Sequence, residues 1–317
     1  MNVYRMVLVI LALTGVWAAC IPEPSFPVEV QDRLEGILAR GKLVVWSDPN
    51  YPPSSILDET QPRPVGTRCT PAEYTASQFS GFDAEVAKKV AGRLGVETCF
   101  VTPSWTEMIT GGWENRWDIV FGSLAITYSR MESLYFTQPY LTEPAVFYVH
   151  KDNIVFQTVE DLSGKRIGTC AQCTYESYLN QTLQLPGSVI EFKVRSPQEV
   201  VYYTEIWALQ DLAKGDGVVL DAVLTGQQIG EEAIRNGMPL RRLDGPVFYS
   251  YVAAAVDRKG KHDAEAMVRR ISEIILNMHR EGALRKLSTQ YYGMDLSSTA
   301  ASFEIEALHQ FAQGEMP

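Results

Sequence analysis

The chain predicts an α/β fold with mainly parallel sheets, on three observations: short apolar runs that end in small residues, apolar stripes of helical period, and the alternation of the two along 317 residues. With 46% apolar and 21% charged residues the composition is that of an ordinary globular protein, long enough for two lobes and short for three. A net charge of −10 and a pI near 5.0 argue against nucleic acid as a partner. Beyond the N-terminus no run of 18 apolar residues occurs, so no other segment reads as a membrane span.

Taken in order, Arg5 precedes an apolar run from Met6 to Ala19, too short to span a bilayer comfortably and ending in small residues before Cys20. That pattern reads as a secretory signal, which places the mature protein outside the cytoplasm. Ala18-Ala19-Cys20 resembles a lipobox, with Trp17 where that motif carries Leu, Val or Ile. A lipid on Cys20 would tether the protein to the outer face of the cytoplasmic membrane, with the Pro-rich stretch from Ile21 to Pro27 as spacer. Plain cleavage after Ala18 or Ala19, leaving a free soluble protein, is the alternative.

Val86, Val90 and Leu94 recur at four-residue spacing between Gly81 and Gly95, and Met267, Ile271, Ile274 and Met278 do so near the C-terminus. Both are packing stripes. Gly282 reads as a stop before a short helix through Leu284 and Leu287, and Tyr291-Tyr292-Gly293 as the end of the domain. Leu296 to Pro317 reads as a partly helical tail, and no internal repeat occurs. Between the two helical stripes, Ile119, Val120 and Phe121 form a short apolar run before Gly122, as in a strand buried on both faces. Gly122 and Ser123 let backbone N–H groups approach a ligand, and Thr127 is placed to cap a helical turn that carries Arg130 back to the same spot. Open α/β sheets bind ligands at the carboxyl ends of their strands, and arginine matches a carboxylate bidentately.

The stretch from Asp118 to Tyr140 resembles the S-x-x-I-T-x-x-R … F-(S/T)-x-P-Y signature of the type 3 extracytoplasmic solute-binding proteins, amino-acid receptors of ABC importers. Ser123, Ile126, Thr127, Arg130, Phe136, Thr137, Pro139 and Tyr140 match it. Four further segments agree in the family's order: Gly41 to Val45 with Asp48 and Tyr51-Pro52-Pro53, the helix from Gly81 to Gly95 (with Ala84 where a larger apolar residue is usual), Asp161 to Gly168, and Leu220 to Leu224. The resemblance covers about residues 36 to 295. It implies a two-lobed type II periplasmic binding protein fold with a hinge and an interlobe ligand cleft. Lobe 1 would take 36–144 and 246–295 and lobe 2 145–245, after a signal segment at 1–20 and a linker at 21–35, with a C-terminal tail at 296–317. The chain would cross between lobes near Thr142 to Ala145 and return near Gly245 to Tyr249, and closure around ligand is the signal a transporter reads.

Removing Cys20 leaves Cys69, Cys99, Cys170 and Cys173, an even number in an oxidising compartment. Cys69 lies in a long Pro/Thr-rich insertion between Pro53 and Gly81 and Cys99 follows the family's helix, so these two are expected to pair. Cys170 and Cys173 are expected to close a tight disulfide, with a redox CxxC and half a metal site as the alternatives.

By the same resemblance Arg130 would hold a carboxylate, helped by backbone N–H groups near Ser123 and Ala125, the latter where a hydroxyl is often found. Thr174, next to Cys173, would donate to that carboxylate on closure. Tyr51 and Trp105 would sandwich the aliphatic part of the ligand, unless they are ordinary packing residues. Asp48 would meet a distal ammonium, or serve only as a turn Asp. Members that bind α-amino acids carry Asp where this chain has Gly226. Either another acid, such as Asp48 or Glu176, replaces it, or the ligand lacks an α-ammonium, because an ammonium buried without a counter-charge is costly.

The expectation is therefore a monomeric, non-catalytic receptor for a small polar carboxylate, an amino acid or a relative of one, serving an ABC permease. An enzyme of the cyclohexadienyl-dehydratase type, with Glu176 as its acid, is the alternative, as is a ligand sensor acting in trans. The four histidines, His150, His262, His279 and His309, lie outside the matched motifs, no metal-ligand spacing occurs, and no cofactor is implied.

Overall fold

A computed structural model describes residues 32–305, apart from Lys261, together with Leu308. Cys20 with its signal segment, the linker as far as residue 31, His309 and the end of the tail lie outside the described residues, and the last part of the expected linker, from Asp32, caps and begins the first helix.

The first segment runs α1 (Arg33–Arg40), β1 (Lys42–Trp46), β2 (Asn50–Tyr51), β3 (Ser55–Leu57), β4 (Tyr74–Thr75), β5 (Phe79–Ser80), α2 (Phe82–Leu94), β6 (Glu97–Val101), α3 (Trp105–Ile109), β7 (Ile119–Val120), α4 (Tyr128–Met131) and β8 (Leu134–His150). The second runs β9 (Arg166–Cys170), α5 (Thr174–Leu179), β10 (Gln198–Tyr202), α6 (Glu205–Leu212), β11 (Ala222–Gly226), α7 (Gln227–Arg235) and β12 (Leu240–Asp257), and α8 (Glu265–Arg280) and α9 (Ala283–Tyr292) follow. The glycines foreseen as punctuation act as such: Gly81 precedes α2, Gly95 ends it in the left-handed region, and Gly282 separates α8 from α9. Val86 and Val90 of α2 and all four stripe residues of α8 are buried.

One nine-stranded sheet has the order β10-β9-β11-β8-β12-β7-β1-β6-β4. Each half is parallel at its centre, β7-β1-β6 on one side and β10-β9-β11 on the other. The expectation of mainly parallel sheets therefore holds only within the halves. The long strands β8 and β12 are antiparallel to each other and to their outer neighbours, because the chain leaves the first half on one and returns on the other. The apolar cores divide at the same place. Buried apolar residues up to Leu141 and from Val252 onward pack with the first half, whereas those from Ala145 to Phe248 pack with the second, against which partly buried Tyr51 also leans. The neck between them carries polar Thr142, Glu143 and Ser250, all buried.

The insertion between Pro53 and Gly81 is folded onto the first half. β2, β3 and β5 form a small sheet, and β4 adds an antiparallel edge to β6. The Cys69–Cys99 disulfide (S–S 2.08 Å) ties the insertion there, and Arg63 donates to the carbonyls of Cys69, Thr70 and Glu73. A two-residue edge strand also blunts the sheet against pairing with another chain.

The start of the tail packs against the first half. A 3-10 turn over Ser298–Ser302 docks on β8, where the Gln138 side-chain amide donates to Ala300 O (3.0 Å) and Phe303 O (3.3 Å). Phe303 packs on Tyr251 with ring centroids 4.5 Å apart, and Ile305 and Leu308 are buried in the first half's core. These apolar positions are too few and too irregular for a periodicity to reveal them.

Candidate functional site

Arg130 is aimed by three local devices. β7 leads into Gly122, where a Cβ would sit 2.5 Å from the Trp46 ring, so only glycine lets the chain pass. Ser123 then takes a left-handed conformation (φ 50°), its hydroxyl donating to Asp83 at 2.8 Å. Thr127 caps α4, its hydroxyl accepting the Arg130 N–H at 3.2 Å, which turns the guanidinium back toward Ser123. The guanidinium donates to Ala125 O (2.9 Å) and Gln172 O (3.3 Å) and lies 5.4 Å from the centroid of the Trp105 ring. Arg130 is 8% exposed, and no carboxylate forms an ion pair with it among the described residues. Burial pulls its pKa down to about 10, so it remains charged. A buried guanidinium with two carbonyl partners still has donors to spare for an anion.

From the second half, the loop closed by the Cys170–Cys173 disulfide reaches across the cleft. Gln172 holds φ 57° at its tip. Its carbonyl accepts from Arg130 and from Trp105 Nε1 (3.4 Å), and its side-chain oxygen accepts from Thr106 (2.9 Å). Glu176 accepts the Gln172 N–H and so braces the loop from behind.

Asp48, Tyr51, Trp105, Ser123, Ala125, Arg130, Cys173 and Thr174 all line one cleft between the halves. Two expectations need correction. Gly226 does not line it, because other side chains stand in front, and Glu176 is engaged with Gln172 outside it. The acids that do line the cleft with Asp48 are Glu143, on the neck of β8, and Glu205, at the start of α6. The Tyr51 hydroxyl donates to Glu205 across the cleft at 2.6 Å. Asp48 also accepts the Asn50 N–H at 2.8 Å, so it serves its turn as well as facing the cleft. Burial raises the pKa of Asp48 and Glu205. For Glu143 burial is the largest cause and Glu205 and Asp83 add to it, so that its carboxyl rises to about 7 despite the Gln228 amide that donates to it. Asp83 rises to about 6 for the same main reason. Sequence reasoning missed both glutamates. Glu205 follows the N-cap Thr204 and reads as a helix-start acid, whereas Glu143 is a lone acid in an apolar strand, a signal that was open to reading.

No histidine lines the cleft among the described residues: His150 pairs with Asp152, and His279 bonds Pro139 O at 2.8 Å. The one cluster of metal-ligating groups among the described residues, Cys69, Glu73 and Cys99, contains the two sulfurs of a disulfide and is not a metal site.

Two α/β lobes joined by a pair of antiparallel strands, with a buried arginine facing the cleft between them, define a solute-binding protein. The chain belongs to the bacterial extracellular solute-binding proteins, family 3, whose model matches residues 43–294. It is 24% identical over 289 residues to the L-cystine-binding protein TcyJ of Escherichia coli, covering 90% of this chain and 96% of that one. The histidine-binding periplasmic protein of Escherichia coli is 24% identical over 236 residues, covering 73% and 88%. Among solved structures, a mutant of ArgBP from T. maritima superposes with a TM-score of 0.64 at 21% identity, covering 82% of this chain and 99% of that one. The ancestral amino-acid-binding protein AncCDT-1, described as a precursor of cyclohexadienyl dehydratase, gives 0.64 at 22% identity, covering 82% and 99%. The family match stops before the docked turn at Ser298–Ser302.

Proposed function

We propose that the chain is the extracytoplasmic receptor of an ABC importer, binding an amino acid between its lobes and closing around it for delivery to the permease. The observation that carries this reading is Arg130, buried, charged and without a carboxylate partner among the described residues, in a cleft that both lobes line. The lobes meet at Thr142–Pro144 and Tyr249–Ser250, and rotation there opens the cleft by parting Gln172 from Arg130, Trp105 and Thr106. Three carboxylates, Asp48, Glu143 and Glu205, face one guanidinium, which favours a ligand with a carboxylate at one end and positive charge elsewhere. The relative named for histidine is named for such a ligand. The protein works outside the cytoplasmic membrane as a monomer, held by a lipid on Cys20. The receptor reading is preferred to the dehydratase one because Glu176, the acid nominated for that chemistry, accepts the Gln172 N–H and does not line the cleft.

Calorimetry with L-arginine, L-histidine, L-glutamine and L-cystine tests the reading. Arg130→Ala should weaken whichever ligand binds by about 30-fold or more. Unchanged affinity in that variant, or turnover of prephenate or arogenate by the wild-type protein, would defeat it.

A further inference from the structure

Gly226, read in the sequence as the loss of the acid that receives an α-ammonium, has a different meaning in the folded chain. It ends β11, paired with Ala145 of the antiparallel strand β8. Glu143 precedes Ala145 by two residues and so faces the same side of the sheet, one diagonal step from position 226. A Cβ built on Gly226 would lie 2.6 Å from Glu143 Oε1, 2.9 Å from Gln228 Nε2 and 3.0 Å from the Tyr175 hydroxyl. A side chain there would displace the ends of the Glu143, Gln228 and Tyr175 side chains from where they now sit.

Two further observations point to a cation at this spot. The Tyr175 hydroxyl lines the cleft on a side chain 3% exposed, and apart from the Glu143 carboxyl beside it, it has no hydrogen-bond partner among the described residues. A hydroxyl that donates to a carboxyl still has its lone pairs free to accept, so this oxygen is open to a donor on a ligand. Arg130 is an electrostatic neighbour of Glu143 and of Tyr175, so a carboxylate at Arg130 would bring an ammonium one carbon away toward both. An ammonium offers three donors and no acceptor, which suits a carboxylate and a hydroxyl oxygen.

We propose that Glu143, with the Tyr175 hydroxyl, receives the α-ammonium of the ligand, and that Gly226 is glycine because Glu143 fills the space an acid there would need. The ligand is then an ordinary α-amino acid, not an amine-free acid. This rests on the receptor reading above but can fail separately from it.

The test uses paired probes that differ only in the α-amino group: L-arginine with 5-guanidinopentanoate, L-glutamine with 4-carbamoylbutyrate, and L-histidine with imidazolepropionate. Each is titrated calorimetrically into the wild-type protein, Glu143→Gln, Glu143→Ala, Gly226→Asp and the double variant Glu143→Ala/Gly226→Asp, with thermal unfolding recorded for each. For the pair that binds, Glu143→Gln should cost the amino acid about tenfold or more and leave its amine-free partner within about threefold. Gly226→Asp alone should weaken binding by steric conflict with Glu143, whereas the double variant should recover much of what Glu143→Ala loses. Equal binding of both members of a pair, or equal loss for both in Glu143→Gln, would overturn the proposal, and the receptor reading would stand if Arg130→Ala still abolished both. Failure of every probe to bind would overturn both.

Discussion

If Glu143 holds an ammonium, it must be ionised in the complex, and its protonation in the free protein sets a pH dependence with a definite sign. Burial raises its carboxyl to about 7, against an ordinary value of 4.5. The groups facing it are Arg130 from α4, Tyr175 from α5, Glu205 from α6, Gln228 from α7, Asp83 from α2, and the Tyr51 and Tyr292 hydroxyls. A ligand that binds only the ionised form has its apparent Kd multiplied by 1 + 10^(pKa − pH), about 1.1 at pH 8 and about 11 at pH 6, so affinity falls about tenfold over that interval. At pH 6 about 0.9 proton should leave per ligand bound, read calorimetrically as the difference in heat between phosphate and bis-Tris buffers. Glu143→Gln should flatten both. A slope that persists unchanged in that variant belongs to another group, Asp83 at about 6 being the nearest in value, and the reasoning would be refuted. The free protein should respond in the opposite sense. The folded chain holds this proton more tightly than the unfolded chain does, so the contribution to stability is full below pH 4.5 and is lost as pH rises through about 7. Glu143→Gln should therefore be more stable than wild type at pH 8 without ligand, by at most about 3 kcal/mol.

Three other perturbations separate the parts of the molecule. The Cys69–Cys99 bond spans 30 residues and Cys170–Cys173 spans 3, so loop-closure entropy gives about 4 and about 2 kcal/mol respectively. Replacing each pair by Ser should lower Tm more for the first and ligand affinity more for the second, whose loop presents Gln172; the reverse pattern would contradict these roles. Glu205→Gln should weaken L-arginine about tenfold or more relative to L-glutamine if the distal acids receive a cation, and an equal loss for both ligands would count against it. Ending the chain at Leu296 removes the docked turn and the buried Ile305 and Leu308, which should cost about 3 kcal/mol or more in urea unfolding while leaving affinity unchanged. An unaltered unfolding midpoint would mean that the tail contributes nothing.

The fold was legible where local chemistry decides it. The caps at Gly81, Gly95 and Thr127, the stripes of α2 and α8 and the apolar run before Gly122 are short-range features, and each forms where its residues predict. The docking of the tail and the antiparallel register of the neck were not, although the resemblance placed the two crossings, because Phe303 against Tyr251, or Tyr249 against Pro144, are pairings between distant segments that no local period encodes. The cleft divides in the same way. Arg130 announces itself because its strand, turn and cap are contiguous in sequence, whereas its counter-charge depends on register. Glu143 and Gly226 are 83 residues apart by their numbers, and only the alignment of Gly226 with Ala145 makes them rivals for one space. Read alone, Gly226 subtracts a charge from the cleft. Read with β8 beside it, the same glycine is the condition for putting a charge there, so an absent acid in this sequence is evidence about packing before it is evidence about ligand.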